Sequence, residues 1–431
     1  MNIRLSVTSV FVLLSLLSAP RQGAADHHKA DVGKPAGGEA AAWRFVLTSA
    51  ATNQRARGFS LAASDVGLSG SWSVRAQTLR GGKQEGVELI TIDNGTLQIV
   101  VIPTRGMGVL EVRGGDVRLG WDSPVKEVVH PQFVDLDSRG GLGWIDGFNE
   151  WMVRCGLEFA GHPGKDEFTT NTGDTGTMDL SLHGKIANIP ASEVEVLVDK
   201  AAPHRIRVRG VVHERLFFGP KLKLVAEIST EPGADTFRIH DTVTNLGGGP
   251  QEFEVIYHGN FGAPILEKDA KVVVPVKKIA PMNAHAGREI PRYSMYMGPT
   301  PGFVEEVYLI HPYGDADGRT MALLHNADRS LGASVAFSTK ELPYLTIWKN
   351  TTSVADGYVT GLEPGTCFPY NRKVERKFGR LPTLASGETR SFTLDFGVHQ
   401  GEEAVDAVVG EIAAIQAGRK TEVQREPTPL D

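Results

Sequence analysis

The chain has 431 residues and a formal charge of −6 at pH 7, with 45 lysines and arginines against 51 aspartates and glutamates. That mildly acidic balance lacks the basic footprint a nucleic-acid backbone demands, so nucleic acid is excluded as a partner. Only two cysteines, Cys155 and Cys367, are present, which excludes a disulfide framework and a cysteine-built zinc site; they read as buried thiols, with a single bridge as the alternative.

In chain order, the first segment has Arg4, an apolar core from Val7 to Leu17 and small residues through Gly23-Ala24-Ala25. These are the parts of a secretory signal, so residues 1–25 are expected to be removed near Ala25 and the mature protein exported to the periplasm or beyond. The apolar run is shorter than the ~20 residues of a membrane span, and no later segment is long and apolar enough, so no span is expected. Residues 26–42 are small, polar and unpatterned and read as a disordered linker, with His27 and His28 solvated rather than metal-binding.

Patterning begins near Trp43. In GVELITIDNGTLQIVVIP (86–103) apolar and polar residues alternate on both sides of Asn94-Gly95, the pair expected to supply the positive backbone angles of a tight hairpin. The same alternation recurs in EVEVLVDK (193–200), HRIRVRGVVHERL (204–216), DTFRIHDTVTN (235–245), QEFEVIYHG (251–259), YLTIWKN (344–350) and RSFTLDFGV (390–398). Turn residues separate the runs and no long helical period intervenes, so residues 43–400 read as all-β. Half-polar strands in this number need a second sheet to bury against, which predicts one large antiparallel β-sandwich. Residues 401–420 differ: Val405, Val408, Val409, Ile412 and Ile415 share one face of a short C-terminal helix, expected to pack on the sandwich. Residues 421–431 read as a trailing tail.

Compact catalytic motifs are missing: there is no P-loop, no H-E-x-x-H and no G-x-S-x-G, and SRGGLGWIDG (138–147) lacks the Rossmann spacing. What remains is a scattered set of strand-end residues. His258 closes the run FEVIYH before Gly259, and His183 repeats the pattern of apolar run, His, then Gly. Glu363 follows a strand in Gly361-Leu362-Glu363-Pro364-Gly365, read as a turn whose glycines let a ligand approach the main chain. A carboxylate and an imidazole across one cleft make a general acid/base pair.

In order, the chain carries Arg154 in WMVRCGLEF, Leu182-His183-Gly184, DTVTNLG ahead of Tyr257-His258-Gly259-Asn260-Phe261, and Leu362-Glu363-Pro364. This series resembles the galactose mutarotase, or aldose 1-epimerase, superfamily across about Leu89 to Val398. The resemblance implies the large sandwich of that superfamily, a monosaccharide or sugar-derivative substrate, and interconversion of anomers by ring opening with no metal or organic cofactor. It implies Glu363 as the general base on the anomeric hydroxyl and His258 as the general acid on the ring oxygen. It also implies His183 and Arg154 as sugar-binding residues. His-Gly-Asn-Phe-Gly-Ala replaces the typical His-x-Tyr-Phe-Asn-Leu, and PTRGM, LHG and GLEPGT resemble a less characterised branch with an unassigned sugar.

Further substrate-binding candidates are Arg105 in PTRGMG, Trp348 and Lys349 at the end of one strand, and Arg372, with Asn149, Glu150 and Asn371 as similar residues. Trp348 could stack on a sugar face. Arg372 with Arg154 would favour an anionic sugar, since guanidinium binds carboxylates bidentately. Glu305 and Glu306 read as a solvated strand entrance. Two other function classes stay open: a non-catalytic carbohydrate-binding protein, and a carbohydrate-active lyase or hydrolase, although inverting hydrolysis needs a second placed carboxylate.

Overall fold

A computed structural model describes residues 41–56 and 58–430. The expected signal peptide and all but the last two residues of the expected linker lie outside the described residues.

Strand alternation builds the architecture. In Ile206–Arg215 the buried positions are Ile206, Val208, Gly210, Val212 and Glu214, and in Lys221–Thr230 they include Leu222, Leu224, Ala226 and Ile228. Each strand thus has one apolar face, and burying a Val, Leu or Ile side chain contributes roughly 1.5–3 kcal/mol. Among the described residues, the strands form a ten-stranded and a thirteen-stranded sheet plus two two-stranded ribbons. The core packs Val196, Val208, Leu224, Ile239 and Leu394 of the smaller sheet against Ile99, Val109, Tyr257, Tyr308 and Ile347 of the larger. Trp151 lies between them, its ring 5.0 Å from Phe396 and 5.5 Å from Phe237. This is the all-β sandwich expected of the sequence.

The strands at the centre of the larger sheet, Met152–Leu157, Glu254–Phe261 and Val359–Gly365, are buried at every position. Their inner faces join the main core through Met152, Tyr257 and Leu362, and their outer faces form a second apolar layer with Val153, Cys155, Ile256, Val359 and Cys367. Both cysteines are free and buried there, so no bridge forms.

Two local readings change, at the Asn94 turn and in the tail, while the C-terminal helix packs on the sandwich as expected. Asn94 does not take a positive φ; only Gly95 does, at 94°. The Asn94 carboxamide closes the turn instead, accepting from the Thr96 and Leu97 N–H groups and donating to Thr230 Oγ1. The C-terminal helix runs Glu402–Gln416 and seats Val405, Val408 and Ile412 on Met321, Leu323 and Ala336. Beyond it the chain does not simply trail off: Glu422–Val423 pairs in parallel with Val276–Pro281, an edge the tail supplies with backbone partners.

Candidate active site

Sheet register creates the site. Glu254–Phe261 pairs with Val359–Gly365 through Ile256↔Gly365 and Gly259↔Leu362, which sets His258 opposite Glu363. The next strand pairs Thr346 with Glu363. Because side chains alternate across a strand, His258, Glu363 and Thr346 form one row on the outer face. Neither His258 nor Glu363 stands at a turn, as the sequence suggested: both lie inside strands. The ladder skips the two positions between its bridges, where Pro364 has no N–H to give. Gly361 also has a different use from the one expected. A Cβ there would lie 2.4 Å from Glu363 Oε1, so the glycine makes room for the carboxyl group itself.

His258 Nε2 is 3.2 Å from Glu363 Oε1, and both side chains are almost fully buried. The approach is not aligned as a hydrogen bond, and Glu363 Oε1 and His258 Nδ1 have no other partner among the described residues. Burial, aided by the charge of Glu305, raises the Glu363 carboxyl well above its ordinary range. Burial, aided by His183, lowers the His258 imidazole well below its own. Both shifts favour the neutral forms, a protonated carboxyl group beside a neutral imidazole.

His183 reaches the same place from a loop. Its backbone sits at φ 59°, held by its N–H to Gly161 O and by the Gly156 N–H to its own carbonyl, both 3.0 Å. Gly184 follows because a Cβ there would lie 2.1 Å from Phe159 O. Nδ1 lies 2.9 Å from Ala160 O; a carbonyl only accepts, so Nδ1 carries the hydrogen and Nε2 is left as an acceptor. Burial lowers its pKa to about 4, against the opposing effect of that carbonyl. The ring stands edge-on to His258 at 5.3 Å and to Trp144 at 4.7 Å.

Around this polar floor rise aromatic walls. Phe148 lies 5.5 Å from His258, Trp348 5.6 Å from it, Trp144 4.7 Å from Phe148, and Trp121 4.9 Å from Phe148. Together they bound a cavity of about 460 Å³, within the range of small-ligand sites. Glu305 and Asp356 line its exposed rim, and Glu305 Oε2 accepts from Trp348 Nε1 at 3.0 Å. No lysine or arginine among the described residues lines the cavity. Among the described residues, no group of three or more His, Cys, Asp or Glu is placed to hold a metal ion.

A family model, Domain of unknown function (DUF4432), matches residues 84–398. The chain belongs to that family. A solved structure from Klebsiella pneumoniae subsp. pneumoniae, described as a "putative aldose 1-epimerase", is 41% identical over 90% of this chain and 99% of that one, with a TM-score of 0.85. A galactose mutarotase-like protein from Clostridium acetobutylicum shares the fold at 17% identity, covering 76% of this chain and 98% of that one, TM-score 0.54. No protein of curated function matches the sequence. The fold of this DUF4432 member is thus the galactose mutarotase-like sandwich.

Of the residues singled out in the sequence, the DUF4432 site gathers His183, His258, Glu363 and Trp348 around one cavity. Four cations are turned away from it. Arg154 is one residue out of phase with Val153 and Cys155, so it points between the sheets, where Nε and Nη2 bind Asp241 at 2.5 and 2.9 Å and Tyr257 shares that carboxylate. Lys349 is likewise out of phase with Trp348; Nζ donates to Met295 O at 2.7 Å and lies 3.6 Å from Glu306, which is buried rather than solvated. Arg105 is sealed against Glu150 at 2.5 Å, and Arg372 against Asp166 at 2.7 Å. Asn149 ties down its loop through Val125 O and Glu127 O, and Asn371 caps a helix. The expected guanidinium clamp for an anionic sugar is therefore absent from the cavity lining.

Trp121, Trp144, Phe148 and His162 were not singled out from the sequence, and Glu305, read there as a solvated strand entrance, is exposed on the cavity rim. Trp144 and Phe148 come from GWIDGF, whose glycines drew attention to nucleotide binding and away from its aromatics.

Proposed function

We propose that this DUF4432 protein is an aldose 1-epimerase-type isomerase that interconverts the anomers of an uncharged sugar. The observation that carries the reading is the His258–Glu363 pair, buried on the floor of an aromatic cavity and left with unused hydrogen-bonding atoms. The description of the Klebsiella relative supports it.

The chemistry needs one group to take the anomeric hydroxyl proton and another to protonate the ring oxygen. The productive tautomer has Glu363 as carboxylate and His258 as imidazolium. It differs from the resting neutral pair by one proton moved across 3.2 Å, with no change in net charge. Glu363 takes the hydroxyl proton as His258 gives its own to the ring oxygen. The bond from C1 to the ring oxygen breaks, and the open aldehyde rotates. Closure on the other face reverses both transfers and regenerates the pair. Each group is worth about 10²- to 10⁴-fold. His183 Nε2, its tautomer set by Ala160 O, accepts a sugar hydroxyl and fixes the ring. The chemistry calls for no cofactor. The apolar run of residues 7–17 supports export as part of the proposal.

The test is magnetisation exchange between the α and β anomers of neutral and acidic aldoses, with and without protein. Acceleration for neutral sugars and none for uronates is expected. Binding without acceleration of any sugar would replace the isomerase reading with a carbohydrate-binding one.

A further inference from the structure

The cavity divides its chemistry unevenly. Four of its buried polar side chains, His183, His258, Glu363 and Thr346, cluster on the sheet floor, where a hemiacetal centre would sit, and a fifth, Ser123, already spends its hydroxyl on Phe148 O and the Val125 N–H. The walls are Trp121, Trp144, Phe148 and Trp348, with Leu142 and Leu182 beside them. An ordinary hexose carries hydroxyls around its whole ring, and those facing such walls would lose water and find little beyond the unpaired Trp144 Nε1–H to replace it. Aromatic stacking takes one apolar sugar face but does not satisfy equatorial hydroxyls on the edge. With no cation in the lining and carboxylates on the rim, the walls offer nothing to an acidic substituent either.

We propose that the substrate is an uncharged aldose bearing an apolar group away from its anomeric carbon, such as a deoxy, O-alkyl or O-acyl position, rather than a fully hydroxylated hexose. This rests on the isomerase reading for the free anomeric hydroxyl, but the preference itself is a property of the walls. One methylene-sized apolar group in such a pocket discriminates by about 10- to 200-fold.

The test separates binding from turnover. Glu363→Gln protein is titrated with matched 6-deoxy, 6-O-methyl, 6-hydroxy and uronate sugars in the gluco, galacto and manno series, and binding is read from the fluorescence of the cavity tryptophans. Binding of the 6-deoxy or 6-O-methyl sugar at least about tenfold tighter than its 6-hydroxy parent, in any series that binds, is the expected result. A parent that binds as well or better in every such series, or no binding by any member, overturns the proposal. Anomer exchange by the unsubstituted protein is measured on the same panel. Preference without exchange would leave the substrate class standing and remove the isomerase reading, and exchange without preference would do the reverse.

Discussion

Arg154 and Asp241 join the two sheets of the sandwich through paired contacts of 2.5 and 2.9 Å, with both side chains fully buried. The arginine implied by family resemblance to hold the sugar instead ties the wall beneath the site to the opposite sheet. Tyr257, one residue before His258, donates to the same carboxylate at 2.9 Å and fixes the strand that carries the imidazole.

Removing one partner of such a pair leaves a buried, uncompensated charge. Arg154→Met or Asp241→Asn is therefore expected to lower unfolding free energy by about 3–5 kcal/mol, while the folded fraction keeps its sugar affinity. Urea unfolding and a binding titration on the same preparations check this. Lost affinity with unchanged stability would return Arg154 to the sugar site.

Gly361 separates room for the carboxyl group from room for the ligand. Gly361→Ala sets a Cβ 2.4 Å from Glu363 Oε1, the far end of a side chain that can swing aside. Anomer exchange should fall at least about tenfold through misplacement of the base, with the urea midpoint nearly unchanged. Full activity in this variant would show that Glu363 tolerates displacement.

Two buried carboxyls brace the segment that presents His183. Glu254 Oε2 accepts from Ala160 N–H, and Glu214 Oε2 from Leu157 N–H, each at 2.8 Å. Burial raises Glu254 to about 8 and Glu214 to about 7, from a usual 4.5. Groups raised on folding stabilise fully below their unfolded pKa, and that contribution is lost as pH rises through the folded values. His183, lowered from 6.5 to about 4, has the opposite sign, its contribution being lost as pH falls through that window. Glu254→Gln keeps an acceptor for Ala160 and removes one titration. Its urea midpoint should change less than that of the unsubstituted protein between about pH 5 and pH 9. Equal slopes would mean that Glu254 does not titrate there.

The sandwich was legible because a two-residue period is a local signal, repeated from Ile206–Arg215 to Thr389–Gln400. The site was legible only in part. His183, His258 and Glu363 could be grouped through family order, since their meeting depends on cross-strand register and on a loop closed by Gly184. Arg154 and Lys349 were misassigned although alternation held the answer: each is one residue from an outer-facing neighbour, Val153 or Trp348. Trp144 and Phe148 were missed because their use depends on a loop folding over strands more than a hundred residues away. Separations of 45 and 206 residues likewise hide the pairing of Arg105 with Glu150 and of Arg372 with Asp166.

Exchange spectroscopy on Glu363→Gln tests the central claim most directly, because the substitution keeps the shape of the side chain and removes its ability to take a proton. With a sugar that the unsubstituted protein interconverts, anomer exchange should fall by about 10²- to 10⁴-fold while binding persists. Exchange by Glu363→Gln at the unsubstituted rate would contradict the assignment of Glu363 and His258 as the acid/base pair.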